Sequence, residues 1–198
     1  MPMTVDAMRR VGQLFVACVV LGIGVALLLL AALGSDGYST MVNGISLSTG
    51  LPFVVVNCAV GVVLVGMAWA RRTRPGLGTI VQPVVVGLTI SGVLAVVDRP
   101  HDVVARLALM VAAMPVLAFG VAGYLGSGAG AGPTEAVALA WDPPVPFRWS
   151  YSIIQGGGAL VGWLLGAAVG PGTLLVIFAL GPAVDLITRR LPVTRFIR

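Results

Sequence analysis

A chain of 198 residues that is 58% hydrophobic and only 10% charged, with a mean hydropathy of +1.04, is too apolar for a soluble domain, in which about a quarter of residues are charged. Its net charge of +5 comes wholly from arginine, since the chain has no lysine, and the arginines stand at the ends of apolar runs. That placement points to membrane orientation and away from nucleic acid, and the length fits a single membrane domain over residues 1–198.

The first apolar run, Val11 to Leu33, follows Arg9 and Arg10 in the manner of a signal peptide. At 23 residues it exceeds the roughly 7–15 of a signal core, and no Ala-x-Ala site follows, so it is expected to be a first transmembrane helix. Five further spans are expected: Pro52–Ala70, Thr79–Val97, Val104–Leu125, Tyr151–Val169 and Thr173–Ile187. The last has only 15 residues against the about 20 that a crossing helix needs, so it must begin in the preceding Gly-Pro-Gly-Thr turn, tilt little or stop short. Cys18 and Cys58 lie inside spans and read as small packing residues.

With six spans, Arg9, Arg10, Arg71, Arg72, Arg74, Arg148, Arg189, Arg190, Arg195 and Arg198 share one side, and only Arg99 and Arg106 take the other. The positive-inside rule makes the richer side cytoplasmic and puts both termini there. Asp36, Asp98 and Asp102 are then expected to face out. Trp69, Trp141, Trp149 and Tyr151 gather at the inner boundary as an aromatic belt.

The two halves share words in order. Gly76-Leu77-Gly78-Thr79 opens span three and Gly170-Pro171-Gly172-Thr173 opens span six, with Gly87 and Gly181 standing alike behind them. Pro52-Phe53 matches Pro146-Phe147, and GVVLVG from Gly61 matches GGALVG from Gly157 with a two-residue difference in the connecting turn. The expected fold is therefore all-α: six transmembrane helices as two inverted three-helix repeats, residues 11–97 and 103–188. Short broken or re-entrant helices follow spans one and four, at 39–47 and 133–141, and the sequence leaves open whether they enter the membrane or lie on its surface.

The stretch from Gly120 to Trp149 carries the sharpest candidate. Pro133 suits a first helical position, where its missing N–H is not needed, and Glu135 then falls in the first turn near the positive end of the helix dipole. Two readings stand. Glu135 is a dipole-stabilising acid worth under about 1 kcal/mol, or it binds a proton or cation in a re-entrant half-helix beside Thr134 and Gly132. Asn57 and Gln155 occupy roughly corresponding places and either hydrogen-bond between helices or line a polar path. Asp185 either pairs locally with Arg189, four residues on, or belongs to the same site. Gln82 and Pro83 kink or open span three near its cytoplasmic end. Gly158, Gly162, Gly166 and Gly170, each four apart, offer one face for close helix packing.

His101 is the one histidine and reads as solvated; no metal site, catalytic triad, phosphate loop or cofactor motif can be assembled. No enzyme, metal or cofactor is expected.

The words Gly130-Ala131-Gly132-Pro133-Thr134-Glu135, Gly162-Trp163-Leu164-Leu165-Gly166 and GPGTLLVIFALGPAVDL from Gly170 resemble the YczE/YyaS/YitT-type family of bacterial multispanning membrane proteins. That family has a G-x-G-P-x-D/E-type turn and a short helix in each half. The second half keeps it, with Glu135 as the acid. In the first half the equivalent stretch, Asp36 to Met41, has no Gly-Pro and no acid at Met41. The resemblance implies a membrane protein of transporter type. The expected function is a small-solute transporter or permease-like protein of the bacterial cytoplasmic membrane, with a non-transporting scaffold or accessory subunit as the alternative. Expected partners are the lipid bilayer, a small solute, and a second copy or another membrane protein.

Overall fold

The computed structural model describes residues 5–73 and 76–190, without the side chains of 5–7, Phe147, Arg148, Asp185 and 188–190. Of the ten arginines expected on one side, Arg74, Arg195 and Arg198 fall outside the described residues, as do the side chains of Arg148, Arg189 and Arg190. The described residues are all-helical: α1 Val5–Ala31, α2 Gly37–Thr49, α3 Phe53–Ala70, α4 Leu77–Val96, α5 Val103–Gly126, α6 Pro133–Ala140, α7 Phe147–Leu164, α8 Pro171–Leu175, a π-helical stretch Val176–Leu180, and α9 Gly181–Arg190.

Among the described residues four helices are long and apolar enough to cross a membrane: α1 from Met8, α3, α4 and α5. Large apolar side chains such as Val62, Val96, Val111 and Phe178 stand exposed along the bundle, a surface that only lipid covers without cost. The protein is an integral membrane protein. Within it, 61% of the apolar stretch of α1 is buried against 28% for α3, α4 and α5, so α1 is the central rod.

Helix ends follow from local chemistry. Asp102 caps α5 by accepting the Ala105 N–H at 2.9 Å. Pro52 and Pro146 precede α3 and α7 with nearly the same backbone, φ −56°, ψ 141° and φ −54°, ψ 140°. Helix α7 ends in a Schellman turn, in which Ala167 N–H donates to Gly162 O at 2.8 Å and Gly166 N–H to Trp163 O at 3.0 Å.

α1 and α5 cross antiparallel in close contact. Gly24 receives Leu117 and Gly120 receives Leu21, a reciprocal pair in which each glycine lets the partner helix approach its backbone. The same reciprocity recurs at the turns. Gly78 N–H donates to Ala129 O at 2.8 Å, and Gly172 N–H donates to Leu33 O at 2.8 Å. α2 packs against α7, as α6 packs against α3.

Like contacts recur at two separations: Gly24 and Gly120 stand 96 apart, while Pro52 and Pro146, or Gly78 and Gly172, stand 94 apart.

Span six is not one regular helix. Its π-helical stretch, 176–180, sits 94 residues after 82–86, where Pro83 interrupts α4. Both devices disturb the regular ladder of backbone bonds.

One symmetric pair makes a clean test. Buried Thr79 donates from Oγ1 to Ala131 O at 2.7 Å and accepts the Gly76 N–H at 3.1 Å. Thr173, its counterpart, is equally buried, and its hydroxyl has no partner among the described residues. Thr79→Val is expected to cost about 1–3 kcal/mol by stranding two backbone groups, whereas Thr173→Val should be neutral or slightly stabilising. Denaturant unfolding in detergent reads the difference, and equal losses would contradict it.

Candidate functional site

The two short helices run inside the bundle. α2 begins where Gly37 presses on the backbone of Gln155, eight residues into α7, so closely that a Cβ would collide with the Gln155 carbonyl. It then runs parallel to α7, with Thr40 and Gly44 against Gly162. α6 begins where Pro133 covers Gly61, eight residues into α3, and Ala136 and Val137 pack on Leu64 and Ala68. Each short helix thus starts about halfway along a long helix of the other half. Buried Ser39, Thr40, Val42, Thr134 and Val137 place both segments within the bundle rather than on its surface.

Between the heads of α2 and α6 lies a cavity of about 490 Å³. Its polar wall brings together Glu135, Thr134, Asn57 and Gln155, four of the residues singled out in the sequence. Thr134 Oγ1 donates to Glu135 Oε2 at 2.9 Å. Gln155 Oε1 accepts the Tyr38 N–H at 3.0 Å while its Nε2 donates to the Tyr151 hydroxyl at 2.8 Å. Asn57 Nδ2 donates to Pro83 O, the carbonyl of the proline inside α4, and Tyr38 donates its hydroxyl proton to Asn57 O at 3.2 Å. Gly132 is the N-cap of α6, where a Cβ would strike both the Gln82 and Glu135 side chains. Glycine there lets both groups close in.

Asp36 departs from expectation. It does not face outward; it caps α2, accepting the Ser39 N–H at 2.9 Å, and lines the same cavity as Glu135. The cause is the turn after α1, in which Ala32 and Gly34 take positive φ of 46° and 106° and send the chain back inward. Gly34 fits there because a side chain would meet Thr173 and Gly170. The acid missing at Met41 is therefore supplied from the cap. Asp-x-x-Ser just ahead of a helix was the signal for it.

Other sequence candidates move too. Tyr151 lines the cavity rather than joining a boundary belt, while Trp69 and Trp149 are exposed and Trp141 stacks on the Arg71 guanidinium at 4.6 Å. Gly158 and Gly162 pack on the α2 backbone, but Gly166 lies beyond α7 with φ 92° and Gly170 precedes α8 against Leu33 O. The four-residue ladder is thus a packing face only over its first two members, because the helix stops between them and the rest. Asp185 lies on α9, and its side chain, with any pairing to Arg189, is outside the described residues.

Three buried oxygens on cavity residues have no hydrogen-bond partner among the described residues: Asn57 Oδ1, Gln82 Oε1 and the Tyr124 hydroxyl. No three His, Cys, Asp or Glu side chains come together among the described residues as metal ligands would.

A model of a family described as a family of unknown function (DUF6198) matches residues 8–189. An uncharacterised protein of Haemophilus influenzae is 29% identical over 196 residues, which cover 93% of this chain and 87% of that protein. No solved structure matches.

Proposed function

The chain belongs to the DUF6198 family, of unknown function, and we propose that it is a small-solute transporter or permease-like protein whose site is the cavity at the heads of α2 and α6. The observation that carries this reading is the cavity itself: polar groups of both halves converge on a space between two half-length helices. Broken helices meeting at mid-depth are the usual construction of a transport site. A scaffold or accessory subunit would favour side chains filling the interior at Glu135, Asn57 and Gln155, and the space there argues against it.

The reading includes six crossings as two inverted repeats, 11–97 and 103–188. The reciprocal contacts of Gly24 with Leu117 and of Gly120 with Leu21, and the like bonds of Gly78 to Ala129 and of Gly172 to Leu33, support it, as does the resemblance to the YczE/YyaS/YitT-type family. It further includes residence in the bacterial cytoplasmic membrane with both termini inside, on the strength of the arginine placement. Catalysis forms no part of it, and a second copy or another membrane protein remains an accessory to the site rather than a component.

A thermal-shift screen of the detergent-purified protein against metabolites selects the solute, and flux is then measured in proteoliposomes. Glu135→Gln is expected to lower flux about tenfold, a loss of about 1.4 kcal/mol, at unchanged yield and melting temperature. Unchanged flux would remove Glu135 from the site. Absence of flux for every stabilising solute would overturn transport.

A further inference from the structure

The chemistry of the cavity wall selects among solutes. Among the described residues it holds two of the chain's seven acids, Asp36 and Glu135, and none of its twelve arginines or its histidine. The two carboxyl groups sit at the N-termini of α2 and α6, where the helix dipoles favour negative charge. What points to a ligand, beyond a pair of structural acids, is Asn57. It is 1% exposed and lines the cavity, and its Oδ1 has no partner. Its orientation is fixed, because Nδ2 donates to Pro83 O and a flipped amide would set oxygen against oxygen. Gln82 Oε1 also has no partner among the described residues, but its amide lies beside Glu135 with no bond that fixes which end faces the carboxyl group. The fixed acceptor is thus Asn57 Oδ1, beside two acids and the Tyr124 hydroxyl, which can accept or donate, and a group carrying donors and one positive charge complements that set.

Resting on the transport reading, we infer that the cavity takes a small organic monocation, an ammonium with an apolar body, held by Asp36 and Glu135 with Asn57 Oδ1 as a further acceptor. A volume of about 490 Å³ falls in the roughly 300–1,000 Å³ range of organic-ligand sites and is far larger than a bare ion fills. A divalent metal also lacks its ligand set here. The apolar body meets Leu21, Val86, Leu117 and Ile177, and the rings of Tyr38, Tyr124 and Tyr151 supply surroundings in which an ammonium is stable.

Three probes of one shape and different charge test this: benzylamine, benzyl alcohol and benzoate, added at equal concentration to the full chain in detergent at pH 7. Benzylamine is expected to raise the melting temperature and to bind by calorimetry; the neutral and anionic probes should do neither. Asp36→Asn, which keeps the α2 cap, and Glu135→Gln should each weaken benzylamine at least about tenfold while melting near the parent without ligand. A larger shift with benzoate or benzyl alcohol overturns the cation site. So does no response to benzylamine, or equal binding by both variants. Uptake of labelled probe into proteoliposomes separates the two proposals. Binding of benzylamine without uptake keeps the cation site and retires transport, whereas uptake of benzoate or benzyl alcohol alone keeps transport and retires the cation site.

Discussion

Gly162→Leu is expected to destabilise the protein by at least about 3 kcal/mol, the upper end of overpacking costs, and to abolish solute-dependent stabilisation with it. A Cβ at Gly162 would fall on the Thr40 carbonyl and the Met41 nitrogen, which are backbone of α2 and have no rotamer to turn away. Gly158 meets the Gly37 carbonyl in the same way one turn earlier. The only response open to α2 is to retreat from α7. Because Asp36 caps α2 and Tyr38 is tied to Gln155, that retreat widens the cavity and draws one acid away from it. Gly157→Leu is the matched control: nothing lies within 4 Å of a Cβ there, and its effect should stay within about 0.5 kcal/mol. Chemical unfolding of the two variants in one detergent decides the matter. Equal losses would mean that α7 tolerates no bulk anywhere, and would dissolve the link between α2 packing and the site.

That contrast also marks how far sequence alone reaches. The spans were legible because crossing a bilayer demands a long apolar run, and runs of that kind cannot be hidden. α3, α4 and α5 begin and end within two residues of the expected bounds. α7 was set about four residues late, since its first turn, Phe147 to Ser150, is amphipathic and reads as loop. The glycines of α7 announced close packing but not its partner or its extent. Periodicity carries which face is small, not where the helix stops, and the Schellman turn at Gly166 depends on a local competition that spacing does not encode.

The site was half legible. Glu135 stood out because an acid among apolar spans is costly unless used, and Thr134, Asn57 and Gln155 stood out as polar exceptions in otherwise apolar helices. Asp36 did not, for it sits just past a span in a stretch that topology assigns to solvent. Only the reversal of the chain at Ala32 and Gly34 carries it inward. The repeat words likewise suggested a duplication without fixing its register. Short glycine-valine words match at several shifts, whereas a backbone hydrogen bond such as Gly172 N–H to Leu33 O admits one.

Arg106→Ala is expected to cost about 3 kcal/mol, the second-largest loss among these variants. By the charge-placement rule Arg106 stands on the less favoured side, and its contacts give the reason it is there. Nε donates to Ala31 O at 2.7 Å and Nη2 to Ala32 O at 2.8 Å, the carbonyls left open where α1 stops. A fixed positive charge at a helix C-terminus also meets the negative end of the dipole. Two charge-assisted bonds and the dipole act together on the turn that sends the chain back toward Asp36, so their loss loosens both α1 and the cavity wall. Arg106→Lys, with one point charge in place of a planar fork, should recover no more than about half. Arg99→Ala, an exposed charge seven residues earlier, should change stability by less than about 0.5 kcal/mol. Melting of the three proteins tests the ranking. If Arg99→Ala and Arg106→Ala fall together, the two arginines act only through the field they share, and the cap on α1 does not hold the turn.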